Sequence, residues 1–449
     1  MSAHTLPIVS VRSTKSTRPN STGALSATMR SSGTLLAVGA LFSGAAYWGW
    51  DTGRLPVPPI ASMMIIFAFA AVGVLLDIRR VGSGAMLAWG VANACMAMTS
   101  FLWSSGSDIA LAETRTRILA SMQLVAYVVL LADPRVRRVA RLAIIASSLV
   151  TVGINLWEIT HPMAFSMSLG RSAGFYVNPN ITGAALIVGM LLGLPAVPAR
   201  LRELFMLVIA VGVFTTLSRG ALLCWGAVTT WLLVARAIRG RRLIILTVAS
   251  MTFAVSVVGA MLASGELGYL RGGAEKFVRQ RLAIGNREEL GADVSASSRS
   301  RLAMHALDLF GERPLIGHGV GATIEWNETE STHNVYAREL AEYGLLGVWI
   351  APLLLLVGWR AVSSMDRTHA ADEDTVTRDH GDAGDGSIRR ATAGAFVLFI
   401  GLWGFFSHNV LDDPFILIGL GLIATIPTDA TRAVFRMKNT PISSLPTVI

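Results

Sequence analysis

The sequence predicts an all-α protein that crosses a membrane many times. Of the 449 residues, 53% are hydrophobic and only 15% are charged, whereas a soluble domain carries about 25% charged residues. Apolar runs of about 20 residues, the length that spans the hydrocarbon core of a bilayer, recur along the chain. These runs lack the alternating pattern of a membrane β-barrel, so each is expected to be a helix that satisfies its own backbone hydrogen bonds.

The apolar segments predict about twelve transmembrane helices in one membrane domain. They cover residues 33–50, 57–76, 82–103, 116–132, 139–158, 182–198, 201–217, 219–237, 242–264, 335–359, 391–408 and 413–427. Residues 31–264 then hold helices 1–9, and residues 335–427 hold helices 10–12. The remaining parts are predicted as a disordered tail at 1–30, a soluble loop with an amphipathic helix at 265–334, a loop at 363–390 and a tail at 428–449.

The positions of the arginines predict the orientation in the membrane. When the N-terminus is placed in the cytoplasm, the short cytoplasmic loops hold most of the arginines, which is the positive-inside pattern. Both tails and the 363–390 loop are then cytoplasmic, and the 265–334 loop lies on the outer side. Topology explains the net charge of +9, so no nucleic-acid partner is expected. Cys95 and Cys224 lie within apolar runs and indicate neither a disulfide nor a cysteine metal site.

Two predicted helix starts on the outer side combine a capping residue with an arginine. In GRSAGFYVNPN (170–180), Asn180 is a candidate cap for the next helix and Arg171 precedes it. In TLSRGALL (216–223), Ser218 is a candidate cap and Arg219 follows in the first turn, where a cation opposes the helix dipole unless an anion compensates. Both arrangements fit an anion site. Each also fits a capped helix with a solvated arginine.

The stretch SSRSRLAMHALDLFGERPLIGHGVG (297–321) predicts an amphipathic helix on the membrane surface, followed by a glycine-rich turn. Arg299 and Arg301 lie near the start of this helix. Its apolar face consists of Leu302, Ala306, Leu309 and Phe310. The face that carries His305, Asp308 and Glu312 is interpreted as a surface of ion pairs.

A polar cluster opens the next apolar run in STHNVYARELAEYGLLG (331–347). Thr332 is a candidate cap, and His333 follows it at the helix start, where a histidine can serve as a general base near neutral pH. Arg338 and Glu342 have the i, i+4 spacing of an ion pair, which would leave Glu339 free. A second, weaker copy of the His-Asn motif occurs in SHNVLDDP (407–414), where it contains His408.

The order of these motifs resembles the O-antigen ligase/polymerase superfamily over roughly residues 165–425. The resemblance implies a GT-C-like glycosyltransferase of the bacterial inner membrane, with a large periplasmic loop between helices 9 and 10. Its donor would be a glycan on undecaprenyl diphosphate, and its acceptor a hydroxyl of another glycan or of the lipid A core. Neither a metal nor another cofactor is implied, whereas other polysaccharide-assembly proteins are possible partners.

By the same resemblance, Arg171, Arg219 and Arg301 would hold the diphosphate, and His333 would deprotonate the acceptor hydroxyl on the periplasmic side. Supporting positions are predicted at Asn180, Ser218, Arg299, Asn334, Glu339 and His408. Family members often carry an aromatic residue four positions after the loop arginine, where this chain has His305. The choice between Arg299 and Arg301 as the loop arginine therefore stays open.

Four functions remain compatible with the sequence. A ligase-like transferase is favoured, followed by an O-antigen or exopolysaccharide polymerase, and a protein oligosaccharyltransferase is the third acceptor class. A transporter or flippase of lipid-linked oligosaccharide would use a similar basic cavity. Transporters, however, usually carry ionisable groups near the membrane midplane and broken helices in both halves, and the predicted spans have few such features.

Overall fold

A computed structural model describes residues 21–77, 83–168, 171–249, 294–326, 331–372 and 383–425. The described residues form helices and connecting turns, without a β-strand among them, as the composition predicts. The helices are α1 (Ser21–Leu36), α2 (Ala45–Asp51), α3 (Pro59–Leu76), α4 (Gly84–Phe101), α5 (Asp108–Leu130), α6 (Pro134–Thr160), α7 (Pro179–Gly193), α8 (Arg202–Thr215), α9 (Arg219–Val234), α10 (240–249), α11 (Val294–Glu312), α12 (Ala322–Glu325), α13 (Val335–Gly347), α14 (Ile350–Asp372), α15 (Ala383–Trp403) and α16 (Pro414–Ala424).

Proline and capping residues start many of these helices. Prolines occupy the first turns of α3, α6, α7 and α16, where the missing N–H has no intrahelical partner to lose. The cap of α7 is Asn178, whose side chain accepts from the Asn180 amide, so the expectation that Asn180 itself is the cap is wrong. The cap of α13 is likewise Asn334 and not Thr332.

Three described helices are long and apolar enough to cross a membrane: α3, α6, and α7 together with its 3-10 extension to Ala196. A fourth span is obtained if α13 and α14, which are bent by 88° at their junction, are counted as one. The helices α9 and α16 are apolar but shorter. The described residues therefore support a helical membrane protein, whereas the prediction of about twelve spans is not confirmed.

Two predicted helices are interrupted where the sequence analysis expected continuous spans. The segment 33–50 breaks at Gly44, which has a φ of 77° and separates a π-helical turn from α2. The segment 335–359 breaks near Gly344, whose φ of 60° and ψ of −149° are not helical. A side chain at Gly344 would place its Cβ 2.6 Å from the carbonyl oxygen of Pro314, so both conformation and space require glycine there.

Other boundaries also differ from the predicted ones. The helix α1 begins at Ser21, within the segment expected to be a disordered tail, and packs against α3. Arg30 of this helix is buried and donates to the carbonyls of Gly73 and Asp77. Parts of the predicted 363–390 loop are helical, because α14 extends to Asp372 and α15 begins at Ala383. Residues 1–20, 250–293 and 426–449 lie outside the described part of the chain.

The helix α7 lies at the centre of the bundle. In its membrane-length window 83% of the residues are buried, against 17% for α3 at the periphery. It contacts α6, α8, α9, α15 and α16. This central position fixes the start of α7, and the segment before it, relative to the surrounding helices.

The helix α11 packs part of its apolar face against α13. Its Ala306 clusters with Ala337 and Ala341 of α13. The turn after α11 then pairs with the end of α13, where the amides of His318 and Gly319 donate to the carbonyls of Ala341 and Glu342 at 2.9 and 2.8 Å. The two helices therefore run in parallel, and their N-termini lie at the same end.

Candidate functional site

Four helices begin close together at one end of the bundle. A methyl group added at Gly183 in α7 would lie 2.6 Å from Ala221 Cβ in α9. One added at Gly220 in α9 would lie 3.0 Å from Phe406, in the connection between α15 and α16. The amide of Val335 at the start of α13 donates to the carbonyl of Gly404 in that same connection, at 2.9 Å. The starts of α7, α9, α13 and α16 therefore surround residues 404–413.

Two predicted arginines lie where α7 and α9 begin. Arg171 Nε donates to the carbonyl oxygen of Thr216 at 2.8 Å, and its Nη2 donates to Asn180 Oδ1 at 2.8 Å. Ser218 caps α9 by accepting from the Ala221 amide at 3.4 Å, and Arg219 is the first residue of that helix. Both arginines are half-buried. Two cations beside two helix N-termini are an arrangement that favours an anion.

A buried carboxylate that the sequence analysis missed organises the segment before α7. Glu158, near the end of α6, is only 2% exposed. Its Oε1 accepts from the amides of Phe165 and Ser166, at 3.1 and 2.5 Å. Its Oε2 accepts from the amides of Ala173 and Gly174, at 2.8 and 3.1 Å. The sequence signal for Glu158 is an acid at the end of the predicted apolar span 139–158.

His333 lies at the start of α13 in a backbone conformation that residues other than glycine rarely adopt. Its φ is 53°. Such a backbone conformation is unfavourable for a residue with a side chain, so the surrounding contacts must stabilise it. Asn334 helps to stabilise this conformation, because its side chain accepts hydrogen bonds from the amides of Tyr336 and Ala337. The ring of His408 lies against the His333 ring, with 5.6 Å between centroids and an edge-on orientation. The two His-Asn motifs thus meet in space.

The environment of His408 keeps its imidazole neutral. Burial, followed by the charges of Arg338, His333 and Arg117, lowers the pKa of His408 from 6.5 to about 3. Beside it, burial and the neighbouring Asp412 raise the pKa of Asp413 well above its usual value. Because His408 is neutral at pH 7, it can donate one hydrogen bond and accept another.

The expectation that Arg338 and Glu342 of α13 pair with each other is wrong, because each has a different partner. Arg338 Nη1 pairs with Asp412 Oδ2 at 3.3 Å, and Glu342 Oε2 pairs with Arg117 Nη2 at 2.5 Å. Glu342 also accepts from Thr323 Oγ1 at 2.7 Å. These partners lie on other helices and loops, so helical spacing alone did not identify them. Arg117 was the missed residue, and an arginine inside the predicted span 116–132 was its signal.

Glu339 is fully enclosed within the same region. It is 1% exposed, and its Oε2 accepts from the Ala351 amide at 3.4 Å across the bend between α13 and α14. Glu339 therefore lies at the bend, and the contacts described for it do not include His333.

The loop arginines lie at the same end as His333, because α11 and α13 run in parallel. Arg299 is half-buried and precedes Leu302 and Ala306 by three and seven residues, which places it on the α13-facing side of α11. Arg301 is exposed, and no hydrogen bond or ion pair connects it to the other described site residues. The His305 ring packs against Trp326 at a tilt of 41°, with 4.6 Å between ring centroids.

These features support a helical membrane protein with a candidate site, rich in arginine and histidine, at one end of its bundle. Residues 204–351 match the family model described as O-antigen ligase. The match supports the predicted resemblance to the O-antigen ligase superfamily. It includes Arg219, Arg301 and His333, whereas Arg171 and His408 lie outside the matched residues. No curated protein matches the chain.

Proposed function

We propose that the protein is an O-antigen ligase-like glycosyltransferase. It moves a glycan from undecaprenyl diphosphate to an acceptor hydroxyl on the periplasmic face of the bacterial inner membrane. The observation that supports this most is the meeting of the α7, α9 and α13 starts, which brings Arg171, Arg219 and His333 to one end of the bundle. The matched O-antigen ligase family supports the same reaction class.

Each residue has a role that the chemistry of the transfer requires. Arg171 and Arg219, with the N-termini of α7 and α9, neutralise the diphosphate as the bond from the anomeric carbon to its phosphate oxygen breaks. His333 accepts the proton of the acceptor hydroxyl as the new glycosidic bond forms. The acceptor attacks from the side opposite the diphosphate, so the anomeric carbon inverts.

The half-buried Arg299 is the better candidate for the loop arginine. It lies on the side of α11 that faces α13, whereas Arg301 is exposed. An arginine on the side of α11 that faces α13 can contact a diphosphate held near His333 without a movement of α11. Replacing each by alanine tests the choice: donor KM should rise more for Arg299→Ala than for Arg301→Ala.

The acceptor is either the lipid A core or another lipid-linked glycan. A cell that lacks the protein separates these possibilities. A ligase leaves long chains on the lipid carrier and none on the final anchor, whereas a polymerase leaves single repeats. The proposal further includes about twelve spans with both termini in the cytoplasm, which cysteine accessibility from each side of the membrane would test.

The experiment that tests the proposal uses purified protein in detergent with a lipid-linked glycan and an acceptor. We expect a glycosidic product from the wild-type chain and none from His333→Ala, with both proteins monodisperse. His161→Ala is a matched control, because His161 is exposed and stacks on Trp157 at the end of α6. Near-normal activity of His333→Ala would reject His333 as the base.

A transporter of lipid-linked glycan has one observation in its favour. The 88° bend between α13 and α14 is a broken helix, and Arg338, Glu339 and Glu342 are buried beside it. Such features occur in transporters and weaken the sequence argument against one. The detergent assay separates the classes, because a transporter forms no glycosidic product when no sealed compartment is present.

A further inference from the structure

Glu158 carries an inference that rests on the proposed function of Arg171. We infer that Glu158 is a positioning residue of the anion site: its carboxylate fixes the backbone of residues 171–174, here called the arginine arm, and thereby aims the Arg171 guanidinium. Glu158 belongs to none of the sequence motifs and lies outside the residues matched by the family model.

The hydrogen bonds of the carboxylate are directed at the arginine arm and at the segment that precedes it. Oε2 accepts from Ala173 and Gly174, the last two residues of the arm, and Oε1 accepts from Phe165 and Ser166. An ionised carboxylate has enough lone pairs for all four donors. Because Glu158 is 2% exposed, water cannot readily replace these bonds.

The rest of the arm depends on that anchor. The Ser172 amide donates to the carbonyl of Thr215 at 3.1 Å, and the Ser172 hydroxyl donates to the carbonyl of Asn155 at 2.9 Å. With the backbone held on both sides, Arg171 reaches Thr216 and Asn180 at the starts of α9 and α7. The arm therefore connects a buried carboxyl group in α6 to the guanidinium that lies at the starts of α7 and α9.

An acid is needed at this position for a geometric reason. A glutamine of the same size has one oxygen that accepts and one NH2 group that only donates. In Glu158→Gln, one pair of backbone amides would face the NH2 group and lose its acceptor. Hydrogen bonds to charged groups are among the stronger ones in proteins, so the arm should open more often in the variant.

Trypsin cleavage after Arg171 measures the opening of the arm without any substrate. We expect cleavage at Arg171 to be about tenfold faster or more in Glu158→Gln than in the wild type, because cleavage of a folded protein follows the population of the open form. Glu203→Gln is the matched control. Glu203 is also 2% exposed and accepts from the Arg239 amide at 3.0 Å. It lies at the start of α8, whereas the arginine arm contacts Thr215 at the end of that helix.

A double-mutant cycle with Arg171→Ala separates positioning from a general structural role. If Glu158 acts through Arg171, Glu158→Gln should raise donor KM, and the double variant should be no worse than Arg171→Ala alone. Equal cleavage of the wild type and Glu158→Gln, or additive losses in the cycle, would overturn the inference. If Glu158→Gln does not accumulate, Glu158→Asp takes its place. Aspartate keeps the charge but shortens the reach, so faster cleavage supports the inference and unchanged cleavage rejects it.

Failure of the proposed function gives a different result. In that case Arg171→Ala would transfer glycan normally, while the cleavage assay would still report whether Glu158 holds the arm. The cleavage assay therefore tests the hold of Glu158 on the arm, and the transfer assay of Arg171→Ala tests the proposed function.

Discussion

Replacing Arg117 by methionine should destabilise the fold strongly while leaving the size of the side chain similar. The side chains of Arg117 and Glu342 are 1% and 0% exposed, and they pair at 2.5 Å. Arg117 also contacts Tyr343 and lies 3.4 Å from Glu113. Removing the guanidinium leaves the Glu342 carboxylate buried with Thr323 as its remaining hydroxyl donor.

The expected magnitude follows from that burial. Removing one partner of a buried ion pair costs about 3–5 kcal/mol, which reduces the ratio of folded to unfolded protein by roughly two to four powers of ten. Removing both charges costs less, because no uncompensated charge remains. We therefore expect the variant with Arg117→Met and Glu342→Leu together to be more stable than Arg117→Met alone.

Equilibrium unfolding in mixed micelles, followed by tryptophan fluorescence, measures these differences. Arg115→Met is the matched control, since Arg115 lies on the same helix but is exposed, and its replacement should change stability by less than about 0.5 kcal/mol. The reasoning is refuted if Arg117→Met costs less than about 1 kcal/mol, or if the double variant is less stable than the single one.

Three further predictions follow from the site and from the turn that supports it. Arg219→Ala should raise donor KM, lower kcat, or both in the transfer assay, and Arg219→Lys should recover only part of the loss because lysine lacks the planar fork; full recovery would indicate a simple charge effect. Gly317→Ala should lower the thermal stability, because Gly317 has a φ of 66° and the added Cβ would lie 2.4 Å from a Glu342 backbone atom. Gly311→Ala, with nothing within 4 Å of its added Cβ, should be neutral or stabilising by up to about 1 kcal/mol, and equal losses in both variants would contradict the role of the turn. Burial lowers the pKa of His408 from 6.5 to about 3 in the folded chain, so the folded state should lose stability relative to the unfolded state as the pH falls from 6.5 towards 3. Unfolding of His408→Gln should depend less on pH within that window, and an unchanged pH dependence would contradict the lowered pKa.

The sequence by itself determined the class of the protein and the position of its main motifs. Low charge and long apolar runs require helices in a membrane, because an unpaired backbone group in lipid is costly. Local chemistry also identified the α9 start, where Ser218 is the cap, and the start of α13 within one or two residues. These features depend on neighbours within about one helical turn, and the sequence displays such neighbours directly.

Only the tertiary structure decided which distant groups meet. Arg338 and Glu342 have the spacing of a helical ion pair, yet buried partners far along the chain, Asp412 and Arg117, take their place. These longer-range pairs form because a charge that is buried away from water is strongly destabilising without a partner, and the packing of the helices decides which partner is close enough. The same holds for Glu158, whose four amide donors follow it in the sequence but reach it only when the chain folds back over the end of α6. The sequence likewise predicted the apolar run 335–359 as one span. Its break at Gly344 lies against the Pro314 carbonyl, a contact that only the tertiary structure shows.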